Sequence, residues 1–272
     1  GTLFFFFFLL VIYSYVGWQG IVLLLGGIVI VALLPLMLNV KNVDTKAPKN
    51  TTPPSLKDVF TFFESKIVIR RIVFLMIYYS GILGILVMLK PFLVDLGYEI
   101  REIGFISGIF GTAIGASFAF LSGLIIKKLG NRISIMIMAF YSFLTALYFS
   151  AVLVANPTSF FIYLGVALLW SAYSMSSVVV FTVSMNLVRQ GREGTDYSIQ
   201  IVITHISGLL MAVLSGFLAE RIGYSGFFGL EAIWAFMVLF LSSILYKEKG
   251  EPEFSEVWNK KKNAVIWKLI RR

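Results

Sequence analysis

Residues 1–40 carry no charged side chain, and neither do residues 72–89, 103–126, 133–188, 197–219 or 232–246. No other property restricts the fold as strongly. An uncharged, mainly apolar run of about 18–20 residues can cross the hydrocarbon core of a bilayer as a helix. The last run reaches that length by taking in Glu231. Water is absent in the core, so each span must satisfy its own backbone groups, which a helix does locally. The chain therefore reads as an all-α integral membrane protein.

Eight spans fit the pattern, at 3–16, 21–38, 67–94, 102–126, 133–154, 159–188, 197–219 and 227–246. The breaks have local causes. Gly17-Trp18-Gln19-Gly20 makes a tight turn, Asn156-Pro157 ends a helix, Thr158 can cap the next, and Gly191 to Asp196 is polar. With the spans drawn alternately, 20 of the 23 Lys and Arg residues fall on one side. The positive-inside rule makes that side cytoplasmic and places the C-terminus there, in a cell (inner) membrane. A miscounted span would destroy the bias.

The net charge of +9 could suggest nucleic acid. The basic residues instead occupy short inter-span segments and the tail, so no nucleic-acid partner is expected. The chain has no Cys and one His; no metal site or cofactor is expected. Residues 41–66 form a polar linker with an amphipathic stretch from Leu56 to Phe63. Residues 247–272 form a basic tail, which either lies on the anionic inner leaflet or is simply solvated.

Several spans carry candidate chemistry. Trp170, Tyr173, Ser174, Ser177, Phe181 and Ser184 share one helical face. They could line a wet cavity, or the serines could only bond neighbouring helices. Tyr79 and Lys90 share a face of the third span. Lys90 either serves a substrate, pairs with Asp95, or snorkels to the outer interface. Gln200 is a candidate substrate donor. His205 and Glu231 are candidates for proton coupling, with ordinary inter-helix bonding as the alternative. Ser107, Gly111, Gly115, Ala119 and Gly123 form a small-residue ridge, and Thr204, Gly208, Ala212 and Gly216 form another, both suited to close helix packing.

Gly17-Trp18-Gln19-Gly20 is echoed by Gly223-Tyr224-Ser225-Gly226. Repeats of six spans are a known way to build carriers. Residues 123–132 resemble the cytoplasmic loop signature of the major facilitator superfamily. Gly123, Lys128, Gly130 and Arg132 match, while Lys127 stands where the acid would be. Within that superfamily the chain resembles the muropeptide permease group and its siderophore-uptake relatives. Gly17 to Gly20, Pro91 to Val94 with Leu96-Gly97, Glu102-Ile103-Gly104 and Gly194 to Tyr197 carry the likeness.

The resemblance implies a C-terminal six-helix lobe at 67–246, preceded by one and a half to two helices. Residues 1–40 would end the N-terminal lobe, 41–66 would link the lobes, and the rest of that lobe would lie upstream as a partner. It makes the spans carrying Gly111, Gly115, Gly208 and Gly216 slide against the other lobe, and the Trp170 span line the cavity. It implies a secondary active transporter working by alternating access, driven by protons and importing a medium-sized solute such as a muropeptide or ferric siderophore. No phosphate-binding Gly-x-x-x-x-Gly-Lys-Ser/Thr loop occurs, so the chain carries no ATP engine. Lipid and a small molecule are the remaining partners. A truncated or non-transporting scaffold is the alternative. An intramembrane enzyme is the poorer one, because the spans offer no acid–base cluster.

Overall fold

The computed structural model describes residues 17, 19–20, 22–35, 56–155 and 157–246. The 3–16 span, the tail and most of the linker lie outside the described residues. Helix α1 is Val22–Pro35, α2 is Leu56–Phe62 and α3 is Lys66–Asp95. A helical stretch, Ile100–Leu153, is broken at Gly130 into α4 (100–129) and α5 (131–153). Helix α6 is Ser159–Met185. A last stretch, Glu193–Leu245, is broken at Gly223 into α7 (193–222) and α8 (224–245). The described residues from 66 onward thus hold six helices long enough to cross a bilayer.

The two breaks have one physical cause. Gly130 has φ 78° and ψ 169°, and Gly223 has φ 69° and ψ 171°. A side chain with a Cβ is all but excluded from that region, so glycine is what allows the chain to reverse there. Gly17 also has a positive φ, 65°, so both leading glycines of the sequence echo adopt the same hand. At the start of α4, Glu99 and Glu102 form a capping box, with the Glu99 N–H donating to Glu102 Oε2 at 3.0 Å. Thr158 sits at the N-cap of α6 in extended conformation but makes no side-chain cap bond. The hydroxyl cap expected from the sequence is therefore not made.

α3 is the central strut, with 17 buried residues. It meets α8 through small residues. A Cβ on Gly81 would stand 3.1 Å from Val238, and one on Gly84 would stand 2.0 Å from Glu231 Oε1. Between them Trp234 Nε1 donates to Ser80 Oγ at 3.0 Å. α7 joins α3 through Ser207, whose Oγ donates to the Met76 carbonyl at 2.9 Å. α5 and α6 share hydroxyl pairs, Tyr141 with Ser171 at 2.8 Å and Ser142 with Ser176 at 3.3 Å. Such bonds contribute only about 0.6 kcal/mol each in a membrane, so close packing dominates the assembly. Phe92, Phe149, Phe227 and Phe228 fill one half of the core, while Phe74, Tyr78, Met138 and Val179 fill the other.

Candidate functional site

An aromatic band runs across three helices. Trp170 and Tyr173, on α6, meet edge-to-face with centroids 6.0 Å apart. Tyr173 meets Tyr79 of α3 at 6.4 Å, and their hydroxyls are 3.4 Å apart. Tyr79 meets His205 of α7 edge-to-face at 6.1 Å. Tyr79 is buried, Trp170 and Tyr173 are half-buried, and His205 is exposed. The band therefore runs from the interior to the surface of the bundle and ends in its one titratable imidazole. Chemically it offers ring faces for stacking and hydroxyl, indole and imidazole groups for hydrogen bonds. The Trp170 indole N–H makes no hydrogen bond. It contains no nucleophile–base pair of the kind covalent catalysis uses.

Glycines hold the band in place. A Cβ on Gly111 would lie 2.3 Å from Trp170 Nε1, and one on Gly115 would lie 2.5 Å from Ser174 Oγ. A Cβ on Gly208 would lie 3.2 Å from Leu83 and 3.4 Å from the Tyr79 ring. This corrects the expectation that Gly111, Gly115 and Gly208 form a sliding contact with another lobe: they pack against helices of this same bundle. Spacing of four puts small residues on one face but does not say what that face meets. A Cβ on Gly216 would meet no described side chain or neighbouring helix within 4 Å.

The other candidates disperse. Lys90 is exposed, and Asp95 accepts a 2.7 Å hydrogen bond from the Tyr224 hydroxyl rather than pairing with it. Gln200 is fully buried, and its amide nitrogen lies 3.0–3.1 Å from the Ser184, Leu187 and Asp196 carbonyls. It ties the end of α6 to the start of α7 and has no surface for a substrate. Ser184, on the supposed cavity face, is fully buried while Phe181 is 45% exposed. Ser177 Oγ is buried without a partner. Glu231 is buried against Gly84, with Oε2 unpartnered. Of the loop motif, Gly123, Lys128 and Arg132 are exposed, and Gly130 makes the turn.

Sequence reasoning passed over Arg189 and Asp196. Asp196 is fully buried and forms an ion pair with Arg189, Nη2 to Oδ1, at 2.6 Å. The signal was available, because an acid at a predicted helix start, seven residues after an arginine, has a partner within reach.

The profile of the Major Facilitator Superfamily matches residues 1–201 and, again, 88–272. The chain belongs to this superfamily. A curated relative from Rickettsia bellii (strain RML369-C), bearing the name "Putative transporter AmpG 1", is 26% identical over 217 residues, which is 74% of this chain and 52% of the relative. A relative of the same name from Rickettsia prowazekii (strain Madrid E) is 28% identical over 167 residues, 59% of this chain and 36% of the relative. The chain thus spans about half the length, or less, of these curated relatives. Superfamily membership and the apolar helices together make it a multi-pass protein of the lipid bilayer.

Proposed function

We propose that the chain is the C-terminal part of a secondary active transporter that imports a muropeptide-sized solute by alternating access, driven by protons. The helices from α3 to α8 form its C-terminal lobe, residues 41–66 join it to an N-terminal lobe, and the loop motif and tail face the cytoplasm. The observation that carries this reading is the Trp170–Tyr173–Tyr79–His205 band. It ends at an exposed histidine on a surface that no described helix covers. A substrate held between two lobes near the midplane needs such a surface on each. Ser174 and Ser177 flank the band on α6, and Gly216 offers the other lobe a smooth contact. The resemblance to the muropeptide permease group makes a muropeptide the first solute to test; the relatives' names say only putative transporter.

His205 and Glu231 divide the proton work. The imidazole, at the exposed end of the band, is the proton-carrying candidate on the substrate side. The carboxyl, buried between α3 and α8 with Oε2 unpartnered, is the second proton-carrying candidate. Uptake of a labelled muropeptide by the full-length protein in proteoliposomes tests the proposal. Accumulation is expected with an inward proton gradient and is lost when the gradient is collapsed. Accumulation that ignores the gradient removes the coupling, and uptake of a ferric siderophore alone removes the substrate.

A further inference from the structure

The short helix α2 is held to the bundle by its buried Phe62 and by one arginine. Arg189, in the turn after α6, directs its guanidinium to both Asp196 and α2. Its Nε and Nη2 donate to Asp196 Oδ2 and Oδ1 at 2.9 and 2.6 Å, and its backbone N–H donates to Oδ2 at 2.8 Å. Its Nη1 donates to Thr61 Oγ1, on α2, at 3.0 Å. The guanidinium carbon lies 5.4 Å from the centre of the adjacent Phe62 ring. Phe62 is 2% exposed and packs with Val68 and Ile72, bordered by Leu187, Ile199 and Ile203. Only a planar fork with several donors can serve the acid and the threonine together; a lysine ammonium cannot match that geometry.

The hairpin it joins is tied internally as well. Asp196 is fully buried, so its charge depends on these donors. The Gln200 amide closes the same hairpin by bonding carbonyls of both α6 and α7. From there the helices run without a break to the aromatic band. Tyr173 lies eleven residues, about 16 Å, from Ser184 along α6, and His205 lies five residues, about 7.5 Å, from Gln200 along α7.

We infer that Arg189 is a positioning residue that fastens the inter-lobe linker, through α2, to the α6–α7 hairpin. Displacement of the linker during lobe rocking is thereby delivered to the two helices that carry Trp170, Tyr173 and His205. The inference rests on the transporter reading for its consequence, but not for the contact itself.

Spin labels at Phe60→Cys on α2 and Met185→Cys at the end of α6 report the contact directly. Both positions are exposed, 74% and 60%, and the chain has no cysteine of its own. In the full-length protein in liposomes, the unsubstituted background gives one narrow distance distribution. Arg189→Lys broadens it, and Thr61→Val, which leaves the buried acid paired, broadens it less. Both slow muropeptide uptake, Arg189→Lys by about tenfold in kcat, equivalent to ~1.4 kcal/mol, with KM unchanged. A narrow distribution in Arg189→Lys overturns the inference, and so does a broadened one with unaltered kcat. If the wild-type protein takes up no muropeptide, the substrate reading falls, and the label distances still decide whether Arg189 holds α2.

Discussion

Gly111→Ala separates packing from binding. The added Cβ would lie 2.3 Å from Trp170 Nε1, 2.4 Å from Cδ1 and 2.9 Å from Cε2. Ordinary carbon contacts begin near 3.5 Å, so the indole must retreat by about 1 Å. Overpacking of this kind costs about 1–3 kcal/mol, against roughly 1 kcal/mol gained from replacing a helical glycine. The net loss of stability is small, about 0–2 kcal/mol. The site suffers more. Moving Trp170 breaks its edge-to-face contact with Tyr173, worth about 0.5–1.5 kcal/mol. If the substrate stacks on that pair, its KM rises by about two- to tenfold. The control is Gly229→Ala on α8, whose Cβ meets nothing within 4 Å; it should gain about 0.5–1 kcal/mol. The assays are the thermal transition in detergent and proteoliposome uptake of a labelled muropeptide. A Gly111→Ala protein with wild-type KM, and a thermal transition raised like that of Gly229→Ala, would falsify the placement of Trp170 and its role.

Other outcomes follow from the same geometry. Gly84→Ala forces Glu231 away from α3, because a Cβ there stands 2.0 Å from Oε1. It should lower the thermal transition, with Glu231→Ala in the same chain restoring part of the loss; additive effects would show that the two do not touch. Glu231→Gln preserves shape, so the transition should be retained while gradient-driven accumulation falls to simple equilibration, measured as the final inside-to-outside ratio. Tyr224→Phe removes the 2.7 Å bond to Asp95 and should cost about 1 kcal/mol, read from the midpoint of denaturation. Hydrogen bonds from its own backbone N–H and that of Gly191 hold the Glu193 carboxyl below the usual range. A lowered carboxylate stabilises the fold above its unfolded pKa of about 4.3 and loses that contribution as pH falls through the lower folded value. Hydrogen-exchange protection around Gly191 should therefore be level near neutrality and decline only in acid; a decline centred near neutral pH would exclude this cause.

Much of the site was readable at the level of single helices. Trp170, Tyr173 and Ser174 share a face because a helix repeats every 3.6 residues, and nothing outside α6 alters that. Helical phase did not show that Gln200 and Ser184 are buried, because it gives neighbours within one helix, not the helix opposite. Gly111 and Gly115 show the same limit: their ridge was evident, but its partner, Trp170 with Ser174, lies about 60 residues on. The Arg189–Asp196 pair needed only its seven-residue spacing. Its link to Thr61, 128 residues away, had no local signal.

The apolar runs by themselves determined a helical membrane protein, because a backbone in hydrocarbon must satisfy its own hydrogen bonds. Glycine placement determined the turns at 130 and 223, where no other residue fits the torsions. Tertiary structure alone decided which faces meet. In lipid every apolar face is equally content, so sequence polarity does not choose a helix's neighbour. That choice is made by shape, as where Gly84 admits Glu231 and Gly111 admits Trp170, and shape exists only after the helices have come together.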